Sequence, residues 1–162
     1  MIYKIRGTKI IEEISLLNMN KNTEKEVMKI INCNEFLHKY NLDLSQKDVE
    51  GIIEKRKESL KQFGRIEFDN WVVEKIIKEF CDSQYISKEN FINTIYELID
   101  IFYFYKNETN DLVSDDELIK FMKKYYDNFA HGDLEYLSNT ILEKMKRNIL
   151  TNKSMDYEID FK

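Results

Sequence analysis

Hydrophobic residues recur at intervals of three and four along most of the chain, which is the spacing of one face of an α-helix. Few turn-forming residues interrupt this pattern, because the 162-residue sequence contains no proline and only four glycines. Such a sequence favours long helices over short strands. We therefore predict an all-α fold in which residues 1–150 form a single domain, a bundle of about six or seven helices.

Polar residues mark where several of these helices begin. Ser45 stands before an apolar periodic segment and is followed at the third position by Asp48, while Gly64 marks its end. Ser114 and Glu117 form the capping-box pattern, in which a hydroxyl and a carboxylate each bind a backbone amide of the first turn. These motifs predict helices that begin directly after Ser45 and Ser114.

The segment from Phe91 to Tyr105 is apolar on nearly every face, as expected for a helix at the centre of a bundle. It contains one acidic residue among large apolar neighbours, Asp100. Burial of this carboxyl would raise its pKa and suit it to acid–base chemistry. Alternatively, Asp100 shares a solvent-facing stripe with Glu97, three residues earlier.

Aromatic residues in the same segment suggest a ligand pocket. Tyr103 and Tyr105, together with Asp100, are the candidate ligand-binding residues, and the competing interpretation is that the tyrosines fill the core. The sequence contains no glycine-rich phosphate loop, Gly-x-Ser-x-Gly elbow or His-Glu-x-x-His motif. We therefore assign no catalytic residue and expect no cofactor, so an enzyme is the less favoured class.

Metal binding is not indicated by the cysteines, histidines or acids. Cys33, Cys81, His38 and His131 lack the close pairwise spacing of zinc ligands, and the acidic segment around Asp115 lacks the spacing of a calcium loop. Without a secretory signal, the two cysteines are expected to be reduced and buried. We predict no metal site.

The charge balance of the chain disfavours a polyanionic partner. The sequence has 25 Lys and Arg against 30 Asp and Glu, a net charge of −5, so no global positive field attracts nucleic acid. A basic stripe runs from Lys55 to Arg65, but interleaved glutamates suggest a solvated, salt-bridged face. No run of about 20 apolar residues is present, so we expect a cytoplasmic protein with no nucleic-acid or membrane partner.

Residues 151–162 depart from the helical pattern and are predicted to form an extended acidic tail. Their apolar and charged residues alternate, which is the period of a half-buried strand. The amino terminus alternates in the same way, so the two chain ends could pair as a small sheet, within one chain or between two; the alternative is a tail without fixed structure. The candidate interaction residues are Tyr3, Ile5, Tyr157, Ile159 and Phe161.

Three strings give the chain a resemblance to known sequences: Leu42-Asp-Leu-Ser45, Phe102-Tyr-Phe-Tyr-Lys-Asn-Glu108 and Ser114-Asp-Asp-Glu-Leu-Ile119. With them, about residues 30–150 resemble a family of small helical bacterial proteins of unknown function. The resemblance implies no activity and no catalytic residue.

The expected function follows from the absence of catalytic motifs. We expect a non-enzymatic protein-interaction or accessory module whose partner is another protein or a second copy of the chain, in the latter case a homodimer joined through its ends. The alternative is a small-molecule-binding protein or an unrecognised enzyme with a pocket near Asp100.

Overall fold

Every regular element of the described chain is helical. A computed structural model of the protein describes residues 21, 23–69 and 71–159, and within these ranges there is no strand. The α-helices are α1 (residues 23–31), α2 (Asn34–Leu37), α3 (Gln46–Gln62), α4 (Trp71–Phe80), α5 (Phe91–Glu108), α6 (Asp115–Asn128), α7 (Leu134–Tyr136) and α8 (Glu143–Leu150). The all-α prediction is confirmed.

Both predicted helix starts are capped, and each forms a capping box. The Ser45 hydroxyl accepts a hydrogen bond from the Asp48 amide at 3.1 Å, and the Asp48 carboxylate accepts one from the Ser45 amide at 2.9 Å. Ser114 and Glu117 make the same reciprocal pair at 3.3 and 3.1 Å. The sequence therefore gives the starts of α3 and α6 correctly, because a capping box is a purely local interaction.

Helix α5 lies at the centre of the bundle, as its apolar composition predicts. It contacts α3, α4 and α6, and half of its 18 side chains are buried. Its solvent-facing stripe contains the exposed Glu97 and Phe104, with the partly buried Asp100 between them. Asp100 therefore lies on the solvent-facing side of α5 with Glu97 and is not buried in the core.

Helices α7 and α8 are joined without a break by a π-helical segment, Leu137–Leu142. The Asp133 carboxylate begins this run by accepting a hydrogen bond from the Tyr136 amide at 2.9 Å. The π-helical segment buries Leu137, Ile141 and Leu142. Short π-helical insertions widen the backbone spiral and occur frequently at functional sites.

Residues 151–159 form turns, and the predicted strand is wrong over this range. The Asn148 side-chain amide donates to the carbonyls of Met155 at 3.2 Å and Tyr157 at 2.8 Å. These bonds curl the chain back onto α8 and leave Ile159 buried. The strand's proposed partners, Tyr3 and Ile5, lie outside the described residues, and the division of the chain at residue 150 stays a prediction.

Replacing Asn148 by alanine is expected to lower the free energy of unfolding by about 1–2 kcal/mol, because two carbonyls lose a donor on a buried side chain. Urea unfolding measures this loss, and limited proteolysis should show faster cleavage within residues 151–159. Asn128→Ala is the matched control, since Asn128 makes an exposed bond within its own helix. Equal stabilities and cleavage rates for the two variants would contradict the assigned role of Asn148.

Candidate functional site

The loop between α3 and α4 exposes two large apolar side chains. Ile66 is 82% and Phe68 is 97% exposed, whereas side chains of these types are usually buried. Exposed apolar groups that lie close together are a typical feature of protein-binding sites. The loop is therefore the first candidate for a functional site.

This loop is held from beneath by a buried arginine. The Arg56 guanidinium donates to the carbonyl oxygens of Glu67, at 3.2 Å, and Asp69, and Arg56 is almost entirely buried on α3. The Glu67 carboxylate lies 3.6 Å from the guanidinium and accepts a hydrogen bond from the Tyr103 hydroxyl at 2.6 Å. Burial, and next the hydrogen bond to Glu67, raise the pKa of Tyr103. Ile66 and Phe68 thus project from a fixed backbone.

An ion pair ties this loop to the loop between α5 and α6. The Arg65 guanidinium donates to both carboxylate oxygens of Asp111, at 3.0 and 2.7 Å. The hydrogen bonds from Arg65 hold the pKa of Asp111 below its usual range. The residue after Asp111 is Leu112, which is 64% exposed, so both loops present apolar side chains beside their shared ion pair.

The first residue of α4 adds an aromatic ring. Trp71 is partly exposed, and the Lys75 ammonium lies over its ring, 4.1 Å from the centroid. Lys75 also pairs with Asp116 at the start of α6. We call Ile66, Phe68, Trp71 and Leu112 together the loop surface.

Acidic residues lie next to members of the loop surface: Asp69 directly follows Phe68, and Glu117 directly follows Asp116, the partner of Lys75. Arg65 is neutralised by Asp111 and Lys75 by Asp116. Asp69 and Glu117 are exposed, and no ion pair within the described ranges neutralises either of them. Asp69 and Glu117 therefore add negative charge beside the apolar loop surface, and we call these two acids its negative edge.

Of the three predicted ligand-binding residues, two line a common groove and one does not. Asp100 and Tyr105 both line a groove beside the π-helical segment. Asp100 is held by the Lys55 ammonium at 2.6 Å and by the Ser59 hydroxyl at 2.5 Å. The Tyr103 hydroxyl instead binds Glu67 beneath the loop surface, so its contacts lie elsewhere.

The predicted interaction residues at the carboxyl end differ in exposure. Tyr157 is partly exposed, with the Lys153 ammonium 4.3 Å from its ring centroid. Ile159 is buried within the chain, so a partner could reach it only if residues 151–159 moved. Tyr3, Ile5 and Phe161 lie outside the described residues.

Three members of the basic stripe make separate contacts, whereas Lys57 and Lys61 are exposed and form no ion pair with the interleaved glutamates among the described residues. Arg56 is buried beneath the loop surface, Lys55 pairs with Asp100, and Arg65 pairs with Asp111. These side chains do not form one exposed cationic face, since each points to a different partner. Among the described residues, no group of three His, Cys, Asp or Glu is arranged to hold a metal ion.

Both cysteines are buried free thiols. Burial is the main cause that raises the pKa of Cys33, and it raises that of Cys81 to about 11. Thiols with raised pKa are poor nucleophiles at neutral pH. Neither cysteine is therefore suited to nucleophilic catalysis in this fold.

Sequence reasoning did not identify the loop surface. The segment Arg65-Ile-Glu-Phe68 is too short to show a period. A usable signal was present, because two large apolar residues lie between a helix-ending glycine, Gly64, and a helix-capping residue, Asp69. The loop that carries them is bound by Arg56 and Tyr103, which lie outside this segment of the sequence.

Comparison with known proteins places residues 29–155 within the model of a family described as a family of unknown function, DUF6323. No curated protein and no solved structure matches the chain. Among the helices that the structure describes, none has both the length and the apolar character needed to cross a membrane.

Proposed function

As the chain belongs to DUF6323, a family of unknown function, we propose from its own structure that it is a non-enzymatic protein-interaction module. Its partner binds the loop surface formed by Ile66, Phe68, Trp71 and Leu112. The module acts in the cytoplasm, where its two buried thiols stay reduced.

The observation that carries this proposal is the exposure of Ile66 and Phe68 on a loop that Arg56 holds in place. Covering a large apolar side chain is worth about 1.5–3 kcal/mol relative to leaving it in water. A fixed loop also loses little conformational entropy when a partner binds. An aromatic side chain presented in this way is typical of the residues that dominate binding energy.

The negative edge of the loop surface defines the chemistry of the partner. Asp69 and Glu117 attract Lys and Arg side chains, and the same charges repel the phosphates of nucleic acid. The partner is therefore a protein with an apolar patch bordered by basic residues. Charge complementarity of this kind raises the rate of association and selects among partners.

The test is site-specific photocrosslinking in cells that make the protein. The photoreactive residue p-benzoylphenylalanine replaces Phe68 in one variant and Leu150, an exposed apolar residue at the end of α8, in the control. We expect a discrete crosslinked protein at position 68 that is absent at position 150. Adding Ile66→Ser should weaken that crosslink severalfold.

The crosslinked species also distinguishes the possible partners. A distinct protein with a basic, apolar contact region supports the proposal, and a species of twice the chain's mass identifies the partner as a second copy. Identical crosslinking patterns at positions 68 and 150 would overturn the proposal, because the loop surface would then be no more reactive than any other exposed apolar site.

A further inference from the structure

A groove of about 390 Å³ lies on another part of the molecule, where the end of α3 and the second half of α5 meet the π-helical segment. Its volume is within the range of small-molecule sites. The lining residues are Gln62, Phe63, Asp100, Ile101, Phe104, Tyr105, Ser138, Asn139 and Glu143. The groove shares no residue with the loop surface.

The lining of this groove combines aromatic rings with carboxylates. Phe104 packs edge-on against Phe63, with centroids 6.2 Å apart, and against Tyr105, with centroids 5.0 Å apart. Asp100 and Glu143 are its charged members, and no Lys, Arg or His is among the lining residues. Aromatic faces and carboxylates are the two groups that proteins use to bind organic cations.

Both carboxylates are held in position by neighbouring side chains. The Tyr105 hydroxyl, which has a single proton to donate, lies between two acceptors, the Glu143 carboxylate at 2.9 Å and the Ser138 carbonyl at 2.5 Å. Asp100 is fixed by Lys55 and Ser59, as described above. These contacts leave Asp100 44% and Glu143 32% exposed, so each carboxylate can still be reached by a ligand.

Basic residues already lie close to the Glu143 carboxylate at the π-helical end of the groove. The Lys146 ammonium is shared between Glu143, at 2.9 Å, and Glu108, at 3.5 Å. Arg147 is a second cation close enough to stabilise the charged form of Glu143. The hydrogen bond from Lys146 lowers the pKa of Glu143, which keeps the carboxylate ionised at neutral pH. An ionised carboxylate has about four acceptor sites on its two oxygens, so an added ammonium group can bind Glu143 beside Lys146.

We propose that the groove binds a small organic cation, with its ammonium group beside Glu143 and Asp100 and its carbon atoms against Phe104 and Phe63. Gln62, Ser138 and Asn139 add polar side chains along the same lining. Ser138 and Asn139 belong to the π-helical segment, a type of insertion that often shapes binding sites. The inference is independent of the proposed protein-interaction function.

The probes for this proposal are 1,4-diaminobutane, tetramethylammonium and the uncharged 1,4-butanediol. Titrations of the full chain, followed by isothermal calorimetry and by amide chemical shifts in NMR spectra, should give saturable binding of at least one cation. The diol should not bind. Shift changes should be centred on residues 138–143 and on Phe104.

Three variants test the assigned groups. Glu143→Gln removes one charge and should weaken cation binding about tenfold, and Phe104→Ala should do so through the aromatic contact. Glu35→Gln, an exposed acid on α2, is the control and should bind normally. Phe104 is partly exposed, so its truncation provides a test even if Glu143→Gln affects folding.

Two outcomes would overturn the proposal. One is the absence of saturable binding of either cation to the wild-type chain. The other is equal binding of the diol and the diamine, or equal affinity in Glu143→Gln and Glu35→Gln, because the charge of the groove would then have no part in recognition. Neither result would bear on the loop surface.

Discussion

Replacing Arg56 by methionine is expected to lower the free energy of unfolding by about 3–5 kcal/mol, the usual cost of removing one partner from a buried ionic contact. Arg56 is buried, and its guanidinium donates to the carbonyls of Glu67 and Asp69. Without it, the Glu67 carboxylate loses a guanidinium 3.6 Å away and keeps the hydrogen bond from the Tyr103 hydroxyl. Denaturant unfolding of the purified variant measures the loss directly.

Two further variants separate charge from geometry in this network. Arg56→Lys keeps the positive charge but cannot reach two carbonyls with a planar fork, so it should be intermediate in stability. Glu67→Gln keeps an oxygen that accepts the hydrogen bond from Tyr103. It should therefore lower the free energy of unfolding by less than either Arg56 variant. If Arg56→Met unfolds at the same denaturant concentration as the wild type, the loop is held by other contacts and Arg56 does not fix it.

Substitution of Arg56 also connects the stability of the fold to the proposed function. A loop released from Arg56 would present Ile66 and Phe68 on a mobile backbone, so the partner would have to order it on binding. In the photocrosslinking experiment, Arg56→Lys should therefore reduce the crosslink at position 68. A full-strength crosslink in a variant with measurably lower stability would show that the fixed loop is not needed for recognition.

The parts of this fold that the sequence predicts are those determined by neighbouring residues. Ser114 and Glu117 lie within one turn of each other and cap α6 as predicted. The apolar composition of α5 likewise determines its central place in the bundle. In both cases the information lies in a short segment, and distant parts of the chain only reinforce it.

The parts that sequence reasoning missed depend on contacts between distant residues. Arg56 looks like one more cation in a lysine-rich helix, but its partners lie 11 and 13 residues away in a loop that it organises. The alternation after residue 150 predicts a strand. In the structure, the Asn148 side chain donates to two backbone carbonyls of this segment, which forms turns instead. The groove also combines residues from four separate elements, so no single segment reveals it.

Replacing Gly132 by alanine is expected to lower the free energy of unfolding by about 2–5 kcal/mol, through backbone strain and overpacking together. Gly132 ends the α6 region with a φ of +84°, a conformation that disfavours side chains. An added Cβ would lie 2.6 Å from the Tyr85 Cβ and 2.9 Å from its Cγ. These atoms are close to the Tyr85 backbone, so rotation of the ring cannot relieve the overlap.

Gly64 supplies a matched control for this prediction, because it also has a positive φ, +62°, but has open space where its Cβ would lie. Gly64→Ala should therefore show only the strain, about 1–2 kcal/mol. Thermal and urea unfolding measure the loss of stability in each variant, and the difference between the two losses is the cost of the overlap with Tyr85. Tyr85 also packs against Tyr126 and binds the His131 ring at 3.0 Å, so its displacement would loosen the end of α6. Equal losses for the two variants would show that the Tyr85 contact yields without cost.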